Sequence, residues 1–171
     1  MNRFILLFGF SLVALAGCQT AEVDPAASVS SDYSATPSNL DAFWAESART
    51  VADGDFEGYS ATYHKDAVLV SGLSGTSYPI ASALAGWKDG FDKTVAGKQK
   101  SSVVFRFSQR LSDETTAHDT GIFNYTAEDS TGAVTSNLVH FEGLLVMENG
   151  WKMVMEYQKS RATQEDWDAL Q

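Results

Sequence analysis

The spacing of apolar residues changes once along this chain, close to Gly97. Before that glycine, apolar residues recur three and four positions apart, which is the spacing of a buried helix stripe. After it, apolar and polar residues alternate, as they do in strands with one buried face. The alternating stretches are residues 101–111, 115–127, 133–148 and 151–160. Helices followed by a strand meander are typical of the α+β class, so we expect one α+β domain over residues 37–171.

Three helices are predicted before the change of spacing and a short one after the last strand. Each expected start carries a residue that can cap a helix or occupy its first turn. These starts are Thr36-Pro37, Asp55, Pro79 and Thr163. The second helix should carry Tyr59 and Tyr63 on one face, and residues 67–71 should form a short strand after it. We also expect the tryptophans at positions 44, 87 and 151 to be largely buried.

Asn149-Gly150 predicts a two-residue hairpin turn between the last two strands, because such turns need positive φ at both positions. This turn would pair Glu148 with Trp151 and would divide the hairpin side chains between two faces. We expect the first face to line a cavity. Its members would be Trp151, Met153, Met155, His140, Glu142 and Tyr157. The second face would carry Phe141, Leu145, Met147 and Val154, mixed with Lys152, Glu156 and Gln158.

The N-terminus has the pattern of a bacterial lipoprotein signal. Arg3 precedes a short apolar run, residues 4–16, which is too brief to span a bilayer permanently, and Leu15-Ala16-Gly17-Cys18 resembles a lipobox. We therefore expect residues 1–17 to be removed and Cys18, the chain's one cysteine, to be acylated and to anchor the protein in the bilayer. An ordinary signal cut after residues 14–16 is the alternative.

Residues 18–36 are predicted to form a flexible tether, because they are rich in Ala, Ser, Thr and Asp and show no periodicity. Gln19 follows the cysteine, where aspartate would favour retention in the inner membrane. We therefore expect a cell-envelope protein at the outer membrane, facing the periplasm.

The formal net charge of −10 argues against a nucleic-acid partner, since an acidic surface repels phosphate backbones. A single cysteine, used for lipidation, leaves none for a disulfide. The three histidines lie on different predicted elements without metal-ligand spacing, so neither a metal nor another cofactor is expected.

Three segments carry a resemblance to a known superfamily. They are VADGDFEGYSATYHKDAVLV at residues 51–70, YPIASALAGWKDGF at residues 78–91, and LLVMENGWKMVMEYQKS at residues 144–160. In order and spacing they resemble the SnoaL-like and nuclear transport factor two-like superfamily, which includes ketosteroid isomerase and scytalone dehydratase. The resemblance implies a cone: a curved antiparallel sheet wrapped around the helices and enclosing a cavity.

The resemblance does not carry over the known catalytic positions. Ser71 stands where ketosteroid isomerase has its general base, and Ser47 stands where it has its oxyanion-binding tyrosine. A serine is not a resting general base near neutral pH and is too short to replace a phenol. We therefore expect a domain that binds a small apolar molecule or a protein partner without catalysis. The alternative is an isomerase, dehydratase or cyclase using acid–base residues in the cone.

Candidate site residues follow from the first hairpin face and the aromatic helix stripes. We expect Tyr63, Trp87, Glu142, Met155 and Tyr157 to contact the ligand. Weak catalytic candidates are Glu142, whose pKa burial would raise, together with His140 and Tyr157. For each, a structural role is the alternative: His140 and Glu142 at a solvated sheet end, and Tyr157 bonded to a backbone carbonyl.

A homodimer is expected from the second hairpin face. Phe141, Leu145, Met147 and Val154 would form an apolar group too large to remain exposed on a stable domain. If the helices cover the other side of the sheet, this group would meet a second copy of the chain.

Overall fold

The computed structural model describes residues 38–170. The helices are α1 (Ser38–Asp53), α2 (Phe56–Ala61), α3 (Ile80–Val95) and α4 (Gln164–Ala169). The strands are β1 (Tyr63–Ser71), β2 (Thr76–Pro79), β3 (Gln99–Ser112), β4 (Thr116–Asp129), β5 (Val134–Met147) and β6 (Trp151–Arg161). The α+β class is confirmed. The Thr36-Pro37 start, the tether and the signal lie outside the described residues.

The six strands form one open, curved sheet in the order β2-β1-β6-β5-β4-β3. Strands β3 to β6 form the predicted antiparallel meander. Strand β1 pairs with β6 in parallel, so the last strand is central although it is the end of the meander. The short strand β2 was not predicted; it pairs with β1 through a tight turn.

Side-chain caps set the boundaries of two short helices as the sequence predicts. The Asp55 carboxylate accepts a hydrogen bond from the Gly58 amide at the start of α2. Thr163 and Asp166 form a reciprocal capping box at the start of α4. The placement of Tyr63 on the second helix was wrong, because α2 ends at Ala61 and Tyr63 opens β1, which is longer than predicted.

The core lies between the inner face of the sheet and helices α1 to α3. Its fully enclosed side chains include Leu40 of α1 and Phe141 and Leu145 of β5. Trp44 and Trp151 are buried as predicted, whereas Trp87 is half-buried. None of the helices within residues 38–170 combines the length and apolar character needed to cross a membrane.

A hydrogen bond from Trp44 connects α1 to a buried ion pair of the sheet. The Trp44 indole donates to the Asp119 carboxylate at 2.6 Å, and the Arg110 guanidinium lies 3.2 Å from the same carboxylate. Asp119 is fully buried, so these partners replace the water that its charge would otherwise need.

The β5–β6 hairpin departs from the predicted register near its turn. Its connection uses three residues, so Met147 rather than Glu148 pairs with Trp151. Asn149 and Gly150 do adopt positive φ, at 54° and 110°. The register then shifts between Leu144 and Leu145, because Val154 is an extra residue on β6. Beyond that bulge the predicted pairs Leu144–Met155 and Glu142–Tyr157 are present.

The second hairpin face turns inward, which removes the argument for a homodimer. Phe141 and Leu145 are enclosed under the helices, and Met147 packs against the same core. These side chains do not form an exposed apolar group. The homodimer stays a prediction without that support.

Helix α4 lies on the outer face of the sheet. The Arg106 guanidinium stacks on the Trp167 ring at 4.2 Å and donates to the Trp167 carbonyl. Ile122, which points outward from β4, is thereby covered and buried.

Candidate functional site

A cavity of about 460 Å³ lies between the helices and the inner face of the sheet. Its wall is mainly apolar, and aromatic rings dominate it. These rings belong to Trp44, Trp87, Phe91, Phe105, Phe123 and Phe141. Sites for small molecules in proteins have volumes of roughly 300–1,000 Å³ and similar linings. The cavity is therefore large enough for a small organic molecule.

Glycines on α3 help to keep the cavity open. Gly86 and Gly90 lie about one turn apart on the cavity side of the helix. A Cβ at Gly86 would have no neighbour within 4 Å, and one at Gly90 would lie 3.8 Å from the Tyr125 hydroxyl. Glycine in a helix interior costs about 1 kcal/mol relative to alanine, so larger residues here would favour the helix but fill the space.

The mouth of the cavity is marked by the lining residues that are exposed to solvent. They are Leu73 after β1, Gly86 on α3 and Arg161 at the end of β6. Trp44, Phe141 and Met153 line the opposite, narrow end and are buried. The cavity thus has one end open to solvent and one end enclosed in the core.

A chain of hydrogen bonds crosses the cavity wall between these ends. The Tyr63 hydroxyl donates to a Glu156 carboxyl oxygen at 2.5 Å, and the other oxygen accepts from the Gln158 amide at 2.7 Å. The Tyr59 hydroxyl lies 3.1 Å from the Tyr63 hydroxyl and extends the chain toward α2. All four side chains line the cavity, so a ligand there would meet this polar group.

Burial changes the acidity of this group. Glu156 is 7% exposed, and its removal from water raises the pKa of the carboxyl, although Gln158 and Tyr63 oppose the change. Burial and the nearby Glu156 carboxyl also raise the pKa of Tyr63 well above its usual value. The pKa of Tyr59 is raised for the same reasons. The group therefore holds its protons to a higher pH than the same residues in water.

The Val154 bulge places Glu156 in the cavity. Without the extra residue, strict alternation from Trp151 and Met153 would point Met155 and Tyr157 inward. With it, Glu156 and Gln158 point inward, and Met155 and Tyr157 point outward. Bulges often re-aim side chains at functional sites, and this one replaces an apolar wall with a carboxyl.

A second polar cluster lies where α3 meets the start of β3. The Ser101 hydroxyl lies 2.9 Å from the Thr94 hydroxyl and 3.3 Å from the Tyr125 hydroxyl, and it accepts from the Gln99 amide at 2.8 Å. These uncharged groups satisfy one another, so within the described residues Glu156 is the one carboxyl in the lining.

The structure places some of the predicted site residues on the cavity wall and others on the outer face of the sheet. Tyr63 and Trp87 line the cavity, and a ligand contact for them stays a prediction. Placing Glu142, Met155 and Tyr157 on the cavity wall was wrong, for two reasons. The three-residue connection puts the other face of β5 opposite Trp151, so Glu142 points outward, and the Val154 bulge turns Met155 and Tyr157 outward. Trp151 and Met153, which precede the bulge, do point inward as predicted.

Glu142 lies on the outer face among cations. Its carboxylate accepts from the Lys159 ammonium at 2.7 Å and lies 3.3 Å from the His118 ring nitrogen. The hydrogen bond from Lys159 lowers the pKa of Glu142, which is the opposite of the predicted change. His140 lies 3.5 Å from Asp166 of α4, also outside the cavity. Glu142 and His140 therefore have polar partners on the outer face, and Glu142 forms an ion pair with Lys159 there.

The two serines at the ketosteroid isomerase positions have local structural partners. The buried Ser47 hydroxyl donates to the Phe43 carbonyl one turn earlier. The Ser71 hydroxyl accepts from the Ser74 amide and hydroxyl in the β1–β2 turn. Within residues 38–170, no group of three or more His, Cys, Asp or Glu side chains is placed to hold a metal ion.

Sequence reasoning missed the residues that carry the polar chemistry of the cavity. Glu156 and Gln158 were assigned to the other face together with Phe141 and Leu145. That grouping was itself informative, because Phe141 lines the cavity and Leu145 is enclosed in the core on the same face. The alternating apolar residues of β5 identify the inner face, whereas the bulged β6 does not.

Comparison with known proteins supports the architecture. No protein-family model matches the sequence, and neither does any curated protein. Several solved structures do match. An NTF-2-like protein of unknown function from Shewanella oneidensis is 14% identical, with a TM-score of 0.53 over 70% of this chain and 94% of that one. ActVI-ORFA from Streptomyces coelicolor is 16% identical, with a TM-score of 0.56 over 70% and 92%.

A third match is the β subunit of benzoate 1,2-dioxygenase from Burkholderia mallei, 16% identical, with a TM-score of 0.58 over 75% of this chain and 90% of that one. The chain has the nuclear transport factor two-like fold. The fold expected from the sequence resemblance is thereby confirmed. Identities this low show the nuclear transport factor two-like architecture and not an activity, so function must be argued from the cavity itself.

Proposed function

We propose that this protein is a lipid-anchored envelope protein that binds a small, mostly apolar molecule in its cavity without transforming it. The observation that supports the proposal is a cavity of about 460 Å³, lined by aromatic rings, with one buried carboxyl held by a tyrosine hydroxyl. Apolar surface that a ligand buries there contributes about 25 cal/mol per Å². The Tyr63–Glu156 pair would bind a single hydroxyl or carbonyl group of the ligand.

The raised pKa of Glu156 suits such binding. A protonated carboxyl can donate one hydrogen bond and accept another, whereas a buried carboxylate only accepts. A neutral group also costs less to cover with an apolar ligand than a charged one does. We therefore expect neutral hydroxyl or carbonyl groups to bind at Glu156.

A cavity-filling variant tests this function. Gly90→Leu would project an isobutyl group from α3 into the cavity, and Ala85→Leu would add the same group on the exposed side of the same helix. In calorimetric titrations with 2-naphthylmethanol, we expect Gly90→Leu to lose at least tenfold in affinity and Ala85→Leu to bind as the wild type does. Equal binding by all three proteins would contradict the proposal.

Acid–base catalysis is the second candidate, and the raised pKa of a cavity carboxyl is the observation that favours it. In an isomerase-type reaction, the ionised Glu156 would remove a proton from a carbon next to a carbonyl. The electron pair would move onto the carbonyl oxygen, and the proton would return at another carbon. Dehydratase and cyclase reactions can begin with the same proton removal.

Deuterium exchange separates the two functions. The ketone 2-tetralone fits an aromatic cavity and has acidic α-protons. The exchange of these protons would be measured in D₂O. If the wild type accelerates the exchange and Glu156→Gln does not, the result favours catalysis. If the wild type binds the ketone but exchanges its protons no faster than the Gly90→Leu control does, the result favours binding alone.

The anchor is tested at Cys18. We expect the wild type to partition into the detergent phase with membranes and Cys18→Ser to stay in the aqueous phase or to remain uncleaved. Partitioning that is unchanged in the variant would contradict the anchor. Sucrose-gradient separation of the two membranes would test the outer-membrane location that Gln19 favours.

A further inference from the structure

We infer that the cavity selects ligands that carry a carboxylate at one end, which Arg161 binds at the mouth. This inference rests on the proposed binding function and assigns a chemical class to the ligand. It begins from the charges on the cavity wall. Among residues 38–170, Glu156 is the one carboxyl in the lining and Arg161 the one cation, and they lie at different depths.

Arg49 and Arg110 have carboxylate partners in the described part of the chain, and Arg161 differs from them in this respect. Arg49 pairs with three carboxylates, and Arg110 pairs with two. No ion pair within residues 38–170 involves Arg161, although the chain has 22 acidic residues against 12 basic ones. Its guanidinium meets the side-chain oxygen of Asn137 at 3.3 Å, a neutral partner that leaves its charge uncompensated.

A second irregularity of β6 turns Arg161 toward the cavity. Phe141 pairs with Gln158 and His140 pairs with Ser160, so Lys159 is an extra residue on this strand. With Gln158 pointing inward, simple alternation would point Ser160 inward and Arg161 outward. The shift reverses this, and Arg161 lines the mouth together with Asn137.

The shape of this pair suits a carboxylate. A guanidinium presents parallel N–H donors that match the two oxygens of a carboxylate, and the neighbouring amide of Asn137 can donate a further hydrogen bond. The overall negative charge of the protein repels anions, so a cation is needed where an anionic group is to be held. Both features favour a carboxylate over a neutral group at the mouth.

The positions of Glu156 and Arg161 also bound the length of the ligand. They are five residues apart on one strand, which is about 15 Å at the rise of an extended chain. A molecule with an apolar body, a hydroxyl or carbonyl at its inner end and a carboxylate at its outer end would contact both. Polycyclic carboxylic acids that carry a hydroxyl or carbonyl group at the end opposite the carboxylate have this form.

A matched pair of probes tests the inference. Calorimetric titration of the full chain in a nonionic detergent would compare 2-naphthoate with 2-naphthylmethanol, which share a ring system and differ in charge. We expect the wild type to bind the carboxylate about fivefold more tightly than the alcohol, as is appropriate for a charge-assisted bond at an exposed site. The preference should shrink as the salt concentration rises.

Variants identify the residue responsible. Arg161→Gln should remove the preference for the carboxylate while leaving the affinity for the alcohol within twofold. Asn137→Asp, which places a carboxylate beside Arg161, should remove the preference without removing the arginine. The control Lys159→Gln deletes a neighbouring charge that points to the outer face, and it should leave the preference unchanged. Because each variant is compared by the ratio of two affinities, partition of the probes into detergent cancels.

Each outcome has a distinct meaning. A wild type that binds both probes equally, or an Arg161→Gln variant that keeps the preference, overturns the carboxylate assignment and leaves the cavity function standing. A wild type that binds neither probe overturns both proposals. Loss of the preference in Lys159→Gln would assign the effect to the general charge of the β6 end and would also overturn the role of Arg161.

Discussion

The inner and outer faces of the β5–β6 hairpin hold one glutamate each, and the surroundings shift their pKa values in opposite directions. Glu156 points inward, where burial raises its pKa and its partners are a phenol and an amide. Glu142 points outward, where the Lys159 ammonium lowers its pKa. Both residues are glutamates, and they belong to adjacent residue pairs of the β5–β6 ladder. Alternation along β5 sets the face of Glu142 and the Val154 bulge sets the face of Glu156, and the face decides which of them can act in the cavity.

The difference shows why strand geometry matters more here than residue type. A carboxyl whose pKa is raised by burial can bind neutral ligands or exchange a proton, whereas one paired with an ammonium group serves as a fixed charge. Choosing the glutamate that has a histidine nearby in the sequence selects Glu142, which is ion-paired on the outer face. The residue suited to the cavity is the one without a charged partner.

The largest effect is expected from removing a buried ring from the inner face. Trp151 is buried, and its indole donates to Asn39. Trp151→Ala should lower the free energy of unfolding by about 3–5 kcal/mol in urea denaturation, since it leaves a cavity in the core. Tyr157→Ala on the outer face should cost about 1 kcal/mol or less. Similar losses for both would contradict the assignment of the two faces.

Much of the fold follows from local chemistry that is visible in the sequence. Asp55 and Thr163 cap the helices where their side chains predict, and Gly97 ends the helical part with a φ of 66°. The strand meander follows from the alternation of apolar and polar residues, which is visible without knowing which strands pair. Strand β2 is only four residues long, and it depends on pairing with β1 rather than on a pattern of its own.

The site was less predictable, for a physical reason. Residues 151–157 are all compatible with a strand, so no residue type marks Val154 as the extra one. A one-residue insertion reverses every side chain that follows it on the strand, so Val154 explains the errors at Met155 and Tyr157. The error at Glu142 has a separate cause, which is a connection one residue longer than the predicted two-residue turn. Tyr63 and Trp87 line the cavity, and their positions do not depend on that register.

The pH dependence of stability should separate the two glutamates. The folded pKa of Glu156 is raised above 4.5, so between pH 4.5 and its folded pKa the native state holds more protons than the unfolded state. The free energy of unfolding should therefore fall as the pH rises through this window. Glu156→Gln should remove that fall, as measured by urea denaturation across the range.

Glu142 should act in the opposite sense and at lower pH. Its folded pKa lies below 4.5, so its stabilising contribution is present above pH 4.5 and is lost as the pH falls toward the folded pKa. Glu142→Gln should flatten this acid limb alone. If the two variants change the same part of the curve, the electrostatic contrast between the faces is wrong.

The smallest effect is expected at the turn that joins the two strands. Asn149 has a φ of 54°, a conformation that asparagine and glycine tolerate better than other residues. Asn149→Ala should lower the free energy of unfolding by about 1 kcal/mol, whereas Asn149→Gly should leave it nearly unchanged. An equal loss in both would show that the side chain of Asn149, and not its backbone, stabilises the hairpin.

The central claim is that Glu156 is the cavity carboxyl and Glu142 an outer-face ion pair. Carbon-13 NMR titration of labelled glutamate carboxyls, with Glu156→Gln and Glu142→Gln to assign the two signals, tests it most directly. We predict that the Glu156 signal titrates above pH 4.5 and that the Glu142 signal titrates below it. A Glu156 signal that titrates at or below pH 4.5 would contradict the account.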